Sequence, residues 1–197
     1  AQLTENTLTL KGSCDIVRQF FGDSICSILD QRGIYPRSSF KRVQKYGIPI
    51  FVADDPELVS FLQKYMKQVG TWLETQNLSK LNLVISSQET NEPIEMWSFV
   101  VEVENTENDE PNAKPSKNAI TKNIQAIIRQ ICASVTYLPL IETKVKFDLL
   151  AFTDQGVEVP AEWEETEDVE IENAEEVALR DLKTGHHKVA PKVQYKV

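Results

Sequence analysis

The chain has 197 residues and a formal net charge of −9 at pH 7. That length suits one well-buried domain, because single domains usually contain roughly 50–250 residues. The acidic balance argues against a general affinity for nucleic acid or for an anionic membrane surface, and it favours a basic partner.

Cysteine usage and hydropathy restrict the compartment. Cys14, Cys26 and Cys132 form no CxxC pair and leave an odd thiol, which disfavours both a disulfide framework and a zinc site. No apolar run approaches the roughly 20 residues needed to span a bilayer, and the start "AQLTENTLTLKG" lacks the pattern of a secretory signal. We therefore expect a soluble protein of the cytoplasm or nucleus with reduced thiols.

Three stretches carry apolar residues at helical spacing. After a short alternating start, "TLTLK", Ser13 is placed to cap the first helix. The Asp-Asp-Pro step at 54–56 predicts the start of a second helix, which should end near Gln76. A polar, proline-broken stretch at 105–118 predicts a mobile surface loop before the third helix. The expected core residues are Ile16, Val17, Phe20, Phe21, Ile25, Ile28 and Leu29 in the first helix, Leu58, Leu62, Tyr65, Val69, Trp72 and Leu73 in the second, and Ala119, Ile120, Ile124, Ile127, Ile128, Ile131, Cys132 and Val135 in the third.

Alternating patterns predict three strands in one antiparallel sheet. The run "KLNLVISSQETNEPIEMWSFVVEVEN" predicts a hairpin with one buried face, formed by Trp97, Phe99, Val101 and Val103. A long strand at 143–153 follows the third helix, whereas the earlier "YGIPIFVADD" predicts only a short extended piece. These elements already complete an α+β fold, with three helices packed on one face of a three-stranded sheet.

Residues 154–197 follow this predicted core. They begin with an acidic run, "VPAEWEETEDVEIENAEEV", whose carboxylates repel one another, and they end in the basic, strand-like "HKVAPKVQYKV". The strand at 143–153 leaves its outer edge unpaired unless later residues cover it, and exposed edges invite pairing with another segment. The pattern is compatible with a detachable flap over that edge and equally with a permanent edge-capping hairpin.

No motif predicts a catalytic, metal or cofactor site. His186 and His187 are adjacent, so in a strand their side chains point to opposite faces, which disfavours a shared metal ion. The glutamates lie in a polar run without an apolar pocket to separate their pKa values. The sequence contains no GxGxxG, GxxxxGK(S/T) or GxSxG motif. We expect no enzymatic activity, and a hydrolase using a carboxylate pair near Trp163 is the alternative of a different class.

Characteristic segments occur along the whole chain: "LTLKGS", "ILDQRGIYPRSSFKRVQKYGIPI", "MWSFVVE", "IIRQICASVTYLPLIE", "FDLLAFTD", "VPAEWEET" and "HKV". Together they resemble the HORMA-domain family, specifically its mitotic-arrest-deficient branch of spindle-assembly-checkpoint proteins. The acidic "NTENDEPNAKPSKN" departs from the family pattern. The resemblance implies a single HORMA domain over residues 1–197, with a core at about 8–153 and a mobile C-terminal "safety belt" at about 154–197.

The resemblance also implies how the C-terminal residues act. In the closed form of the family, a partner peptide adds as a strand to the edge strand, and the belt wraps the peptide and repacks against the hairpin. In the open, peptide-free form, the belt itself covers that edge. The implied edge-strand residues are Val145, Phe147, Leu149 and Ala151, and the implied belt residues are Trp163, His187, Val189, Val193 and Tyr195.

Two further sets of residues are implied by the resemblance. Arg129, Gln130 and Tyr137 match the positions at which an open and a closed copy of family members dimerise. An N-terminal strand around Leu10 has to leave its place for closure, so Leu10 is an expected conformational control position. Trp72 matches a position near the belt and is expected to respond to the state of the belt.

The partners implied are a Mad-one-type receptor at unattached kinetochores, a Cdc-twenty-type activator of the anaphase-promoting complex, other checkpoint complex subunits and a second copy of the chain. The binding segments of the first two are basic and apolar, which suits a net-acidic receptor. The implied function is a delay of anaphase by entrapment of the activator, in the nucleus, at kinetochores and in the cytoplasm. An adaptor of a translesion polymerase or of the meiotic chromosome axis is the alternative within the family.

Overall fold

The computed structural model describes residues 8–104 and 114–197. The predicted mobile loop at 105–118 therefore lies mostly outside the described residues. Within them, three helices and eight strands follow one another, with short 3-10 turns at Arg37–Ser39 and Ser134–Thr136. In chain order the elements are α1 (Leu10–Gln31), β1 (Phe40–Lys45), β2 (Ile48–Ala53), α2 (Pro56–Glu74), β3 (Leu78–Ser87), β4 (Pro93–Val103), α3 (Lys117–Ala133), β5 (Val145–Thr153), β6 (Ala174–Ala178), β7 (Leu182–Lys183) and β8 (His187–Lys196).

Helix α1 begins earlier than the sequence pattern predicted. Thr9 is the N-cap, because its Oγ1 accepts a hydrogen bond of 3.0 Å from the backbone N–H of Gly12. The prediction that Ser13 caps the helix is wrong: Ser13 lies inside α1, and its side chain is buried against C-terminal residues. The described part of "TLTLK" contains no strand, and Leu10 is the first helical residue.

The predicted start of α2 is confirmed. Asp55 accepts hydrogen bonds from the backbone N–H groups of Glu57 and Leu58, and Pro56 occupies the first helical position. The helix ends slightly before the predicted position, because Gln76 adopts a positive φ of 58° that cannot continue a right-handed helix.

The main sheet has six strands rather than the three predicted. The strand order is β5-β3-β4-β8-β6, with β7 also pairing with β8. The additional strands β6, β7 and β8 come from residues that the prediction placed outside the core. Helix α1 packs on one face of this sheet, where the rings of Phe20 and Phe21 lie 6.0 and 5.7 Å from the ring of Phe99.

The predicted hairpin of β3 and β4 forms, but both of its faces are covered. Trp97 and Phe99 are buried on the helix face, while Val103 at the end of β4 is 41% exposed. Met96 and Ser98 point to the opposite face and are buried as well. The prediction of a single buried face is therefore wrong.

A second, two-stranded sheet was not predicted. Strands β1 and β2 pair antiparallel, and they are joined by a tight turn at Tyr46 and Gly47. Both turn residues have positive φ, 56° and 74°, as the turns that match the twist of a hairpin require. The charged side chains of "FKRVQK" concealed β1, since only its first residue, Phe40, is buried.

A buried ion pair connects three parts of the fold. The guanidinium of Arg32, at the end of α1, donates from Nε to both carboxylate oxygens of Glu95 on β4 at 3.0 Å. Arg32 also donates to the carbonyl of Pro139, and the Trp97 Nε1–H donates to Glu95 at 2.9 Å. The side chains of the two ions are only 5% and 3% exposed, so neither charge can be solvated if its partner is lost.

Removing one member of this pair should therefore be costly. We expect Arg32→Met to lower the free energy of unfolding by about 3–5 kcal/mol, because it leaves the carboxylate of Glu95 buried without a counter-charge. The double variant Arg32→Met, Glu95→Gln keeps an acceptor for Trp97 and should recover at least half of that loss. Urea unfolding of both variants tests this, and a single-variant effect below about 1 kcal/mol would contradict it.

Candidate functional site

Strand β5 lies at one end of the main sheet. It pairs with β3, and no strand within 8–104 or 114–197 pairs with its outer edge. Phe147 points to the helix face, where its ring lies 6.0 Å from that of Tyr35 and 5.8 Å from that of Phe61. The other predicted edge-strand residues, Val145, Leu149 and Ala151, share this face and pack against the core. The strand predicted at 143–153 thus forms as β5, at one end of the sheet.

The acidic C-terminal residues pass close to this edge. Trp163 packs on α2, with its ring 4.4 Å from that of Tyr65 and 5.0 Å from that of Trp72. Farther along, Asp168 forms an ion pair of 3.2 Å with Lys80 on β3. A cavity of about 670 Å³ lies between α2, β3, β5 and residues 162–169. An unpaired strand edge beside a cavity of this kind can accept an extended peptide as an additional strand.

Carboxylates predominate around the cavity. Asp148, Glu162 and Glu164 line it, against the two cations Lys64 and Lys146. Together with the acidic residues that follow Trp163, they give this side of the molecule a negative potential that attracts a basic segment.

Strand β8 lies on the far side of the hairpin from β5. It pairs with β4 on one side and β6 on the other, so it does not cap the outer edge of β5. The permanent edge-capping hairpin considered from the sequence is therefore wrong. Among the predicted belt residues, Val189 and Val193 are fully buried opposite Val101 and Trp97, and the hydroxyl of Tyr195 donates to Glu175 at 2.9 Å.

A buried hydrogen-bond cluster attaches the C-terminal residues to α1. The hydroxyl of Ser13 lies 2.6 Å from Thr184 Oγ1 and 2.7 Å from His187 Nδ1. Next to it, His186 Nε2 lies 2.8 Å from the carbonyl oxygen of Leu8. Burial, and secondarily the charge of His186, lowers the pKa of His187 below its usual value. Sequence reasoning missed this cluster, because it treated Ser13 as a cap and did not consider Thr184.

The predicted dimerisation residues differ in their availability. Arg129 is exposed on α3, and Tyr137, which follows the end of α3, is 43% exposed. Gln130 instead accepts a hydrogen bond of 2.8 Å from the backbone N–H of Arg180, so part of its side chain holds the C-terminal residues. The predicted control position Trp72 is buried under Trp163, and Leu10 starts α1.

Other features of the described residues do not compete with this site. A larger open cleft of about 830 Å³ lies between α1, α2 and the β1–β2 hairpin, away from β5 and the C-terminal residues. The described ranges contain no group of three or more His, Cys, Asp or Glu side chains placed to hold a metal ion. Within the same ranges, no helix has the length and apolarity to cross a membrane.

Acidification should weaken the attachment of the C-terminal residues to α1. Because the pKa of His187 is depressed in the folded protein, the unfolded chain takes up this proton first as the pH falls. The contribution of neutral His187 to the free energy of unfolding is therefore complete above about pH 6.5, the usual pKa of histidine. It is lost as the pH falls below that value. We expect the urea midpoint to fall more steeply between about pH 7.5 and about pH 5.5 in the wild type than in His187→Gln, which keeps a neutral polar group. Parallel profiles would show that His187 does not link this region to pH.

Comparisons with known proteins agree with this geometry. The HORMA domain family model matches residues 13–187. The "Mitotic spindle assembly checkpoint protein MAD2A" of Homo sapiens is 46% identical over 195 residues, which cover 98% of this chain and 95% of that protein. A chain in the "Crystal Structure of Mitotic Checkpoint Complex" superposes with a TM-score of 0.85 at 38% identity, covering 94% of this chain and 99% of that chain. HTP-2 of C. elegans, bound to an HTP-3 closure motif, has a TM-score of 0.78 at 14% identity over 98% of this chain and 90% of its own, and it supports the fold alone. This chain belongs to the HORMA-domain family, among the mitotic spindle assembly checkpoint proteins of the MAD2 type.

Proposed function

We propose that this chain serves the spindle assembly checkpoint by capturing an extended peptide at the outer edge of β5 and enclosing it under residues 154–197. The observation that carries the proposal is the sheet order, in which β8 pairs with β4 and leaves the outer edge of β5 unpaired within the described residues. The cavity beneath residues 162–169 offers the space for the added strand. In family terms this is the closed arrangement.

Affinity and specificity have separate sources in such a complex. The outer edge of β5 supplies main-chain hydrogen bonds. These fit any extended peptide that has no proline at a position where a backbone N–H must donate to β5. Specificity comes from the alternate peptide side chains that fall on the same face as Phe147 and Leu149 and meet α2. Asp148, Glu162 and Glu164 at the cavity favour basic residues at the positions between.

We infer that residues 154–197 act as a belt whose closure determines how long the peptide stays bound. Trp163 fixes one end of this belt on α2, and His187, Val189, Val193 and Tyr195 fix the other on α1 and β4. A peptide under residues 162–169 can leave sideways only when β8 detaches from β4. Release is then governed by a local opening of the sheet rather than by the peptide contacts alone.

The partners that suit this site have basic and apolar binding segments. We propose a Mad-one-type kinetochore receptor and a Cdc-twenty-type activator of the anaphase-promoting complex, with the chain acting at kinetochores, in the nucleus and in the cytoplasm. Capture of the activator then delays anaphase. An adaptor of this kind needs no catalytic group, and we assign none. The open form, in which the belt covers the β5 edge and the region around Leu10 is rearranged, is the proposed second state.

A reversible cross-link between β4 and β8 tests the belt. Glu102 and Lys188 are opposite each other in the register, so paired cysteines there have the Cα spacing of about 4.5–5.5 Å that a disulfide accepts. We expect the oxidised Glu102→Cys, Lys188→Cys protein to bind a fluorescent Mad-one-type peptide at least roughly tenfold more slowly than the reduced protein. Fluorescence polarisation follows the binding, and a reducing agent should restore the rate.

The structure shows which native cysteine must be removed before this experiment, and it provides a control cross-link. Cys132 is exposed and should first be replaced by serine, whereas Cys14 and Cys26 are buried. A cross-link between Lys41 and Val52, which are partners in the β1–β2 hairpin, controls for oxidation without touching the belt. Equal rates for the oxidised and reduced belt variants would exclude belt opening as a step in binding. Deleting residues 186–197 is a poorer test, because it removes a strand with neighbours on both sides.

We further propose that the surface around the end of α3 binds a second copy of the chain in the other conformation. Arg129 and the 43%-exposed Tyr137 belong to this part of the chain, and so does Leu140, which is 81% exposed. An exposed leucine, a half-exposed aromatic ring and an exposed arginine have the composition of a protein interface.

Charge reversal tests this surface. In sedimentation velocity of a mixture of peptide-loaded and peptide-free protein, Arg129→Glu should weaken dimerisation at least roughly tenfold, because it places a carboxylate in the contact. Lys122→Glu makes the same change two helical turns earlier on the same side of α3 and should leave dimerisation unchanged. An equal loss in both variants would indicate a nonspecific charge effect and not this interface.

A further inference from the structure

Asn82 is a fully buried polar side chain without a strong hydrogen-bond partner. It lies on β3 between Leu81 and Leu83, which belong to the main core, so its own side chain points to the face of the sheet away from the helices. Asn82 is 0% exposed, and its Oδ1 has no hydrogen-bond partner within the described residues. Its Nδ2 donates only to the sulfur of Met96, at 3.5 Å, and a thioether is a weak acceptor. Buried polar groups normally have partners, so this exception calls for a physical reason.

The residues that pass over Asn82 belong to the connection between β5 and β6. Lys80 and Val84 are the neighbours of Asn82 on the same face of β3, because side chains two residues apart in a strand share a face. Lys80 forms its ion pair with Asp168, and Val84 lines the cavity beside β5 together with Val169. Asn82 lies between these two contacts and therefore beneath the C-terminal chain.

From this point the chain crosses the sheet. Strand β6 pairs with the far side of β8, so residues 168–173, which we call the crossing segment, lead from β3 across β4 and β8. The distance is three strand spacings, or about 14 Å. Val169 and Ile171 are half-buried, whereas Glu170 and Glu172 are exposed. The crossing segment thus has two apolar side chains that are turned inward and acidic ones that are turned to solvent.

The surface beneath the crossing segment is only partly apolar. Val84 and Met96 are buried there, but they do not belong to the main hydrophobic core. While the crossing segment is in place, the amide of Asn82 has lost its water and gained no strong partner, which costs free energy. If β8 moves from β4 to β5, as in the proposed open form, the chain no longer has to cross β4, and water can bind the amide. Asn82 therefore favours the states in which the crossing segment has left the sheet.

We propose that Asn82 is a release element of the belt, whose poorly paired amide keeps the crossing segment detachable and so sets how readily the belt opens. The proposal deepens the belt function proposed above and rests on it. An apolar residue at this position would bind Val169 and Ile171 more firmly, because opening would then expose apolar surface and relieve no buried amide.

Thiol labelling of the peptide-free protein measures this opening. Ser98 lies opposite Asn82 on β4 and is 2% exposed, so the thiol introduced by Ser98→Cys should react only after the crossing segment lifts. The exposed Cys132 is first replaced by serine. We expect Asn82→Leu, which keeps the branching and the number of heavy atoms, to slow this labelling about tenfold. The smaller Asn82→Val should shift the rate in the same direction, which excludes overpacking as the cause.

Two controls come from other buried groups. Ser24 on α1 also has a buried hydroxyl without a partner within the described residues, but it lies on the helix side of the sheet. Ser24→Ala should therefore leave the labelling rate unchanged. Cys14 and Cys26 are buried in the main core, so their labelling reports global unfolding and should be much slower. Equal rates at these thiols and at the introduced thiol would overturn local lifting and the proposal with it.

The results separate the role of Asn82 from peptide capture. Equal or faster labelling in both Asn82→Leu and Asn82→Val would overturn the role of Asn82, because it would mean that the amide is satisfied beneath the crossing segment. Slower labelling in a protein that binds no basic-apolar peptide would support the role of Asn82 and overturn peptide capture. Slower labelling accompanied by a similarly slower release of a bound fluorescent basic-apolar peptide would support both.

Discussion

The pairing of β8 with β4 is the constraint on which the rest of the functional region depends. It runs from Val103 opposite His187 to Glu95 opposite Tyr195, and it buries Val189 and Val193 completely. Because β8 occupies this side of the hairpin, β5 remains the last strand on the other side. The residues that connect β5 to β6 must then travel from one end of the sheet to the other, and on the way they form one wall of the cavity beside β5.

The connecting residues are held firmly at their ends and loosely between them. At one end Trp163 packs on two aromatic rings of α2, and at the other end Ala174–Ala178 pair with β8 as strand β6. Between these anchors, the exposed pair of Asp168 with Lys80 contributes little, because solvent screens it. Mutual repulsion of the acidic side chains further opposes collapse onto the protein. Such a segment can lift from the sheet without disturbing the helical core.

The sequence could predict those parts of the fold whose signal is local. The three helices, the β3–β4 hairpin and the strand at β5 each carry their own periodicity, and the Asp-Asp-Pro step located the start of α2. Strand β1 has no alternation, since most of "FKRVQK" faces solvent beside a two-stranded partner. Ser13 has the chemistry of a cap, and only the tertiary contacts with Thr184 and His187 reveal its other use.

The side of the sheet that β8 joins could not be deduced from its residues, because an alternating strand fits any antiparallel edge. The resemblance to the HORMA-domain family supplied both arrangements, and the structure has the one with β8 on β4.

An alternating strand can pair with either edge of the sheet, and this explains how one sequence can serve as a switch. If β8 moves from β4 to β5, as in the proposed open form, the sheet exchanges one set of main-chain hydrogen bonds for another of similar number. The free energies of the two arrangements then differ by much less than the free energy of either strand pairing. A small additional free energy therefore determines which arrangement is populated. A peptide that pairs with β5 adds hydrogen bonds only when β8 lies on β4, and this difference in affinity shifts the population toward the closed state. The contacts of Trp163 and His187, which hold the two ends of the belt, contribute to the free-energy difference between the two arrangements when no peptide is bound.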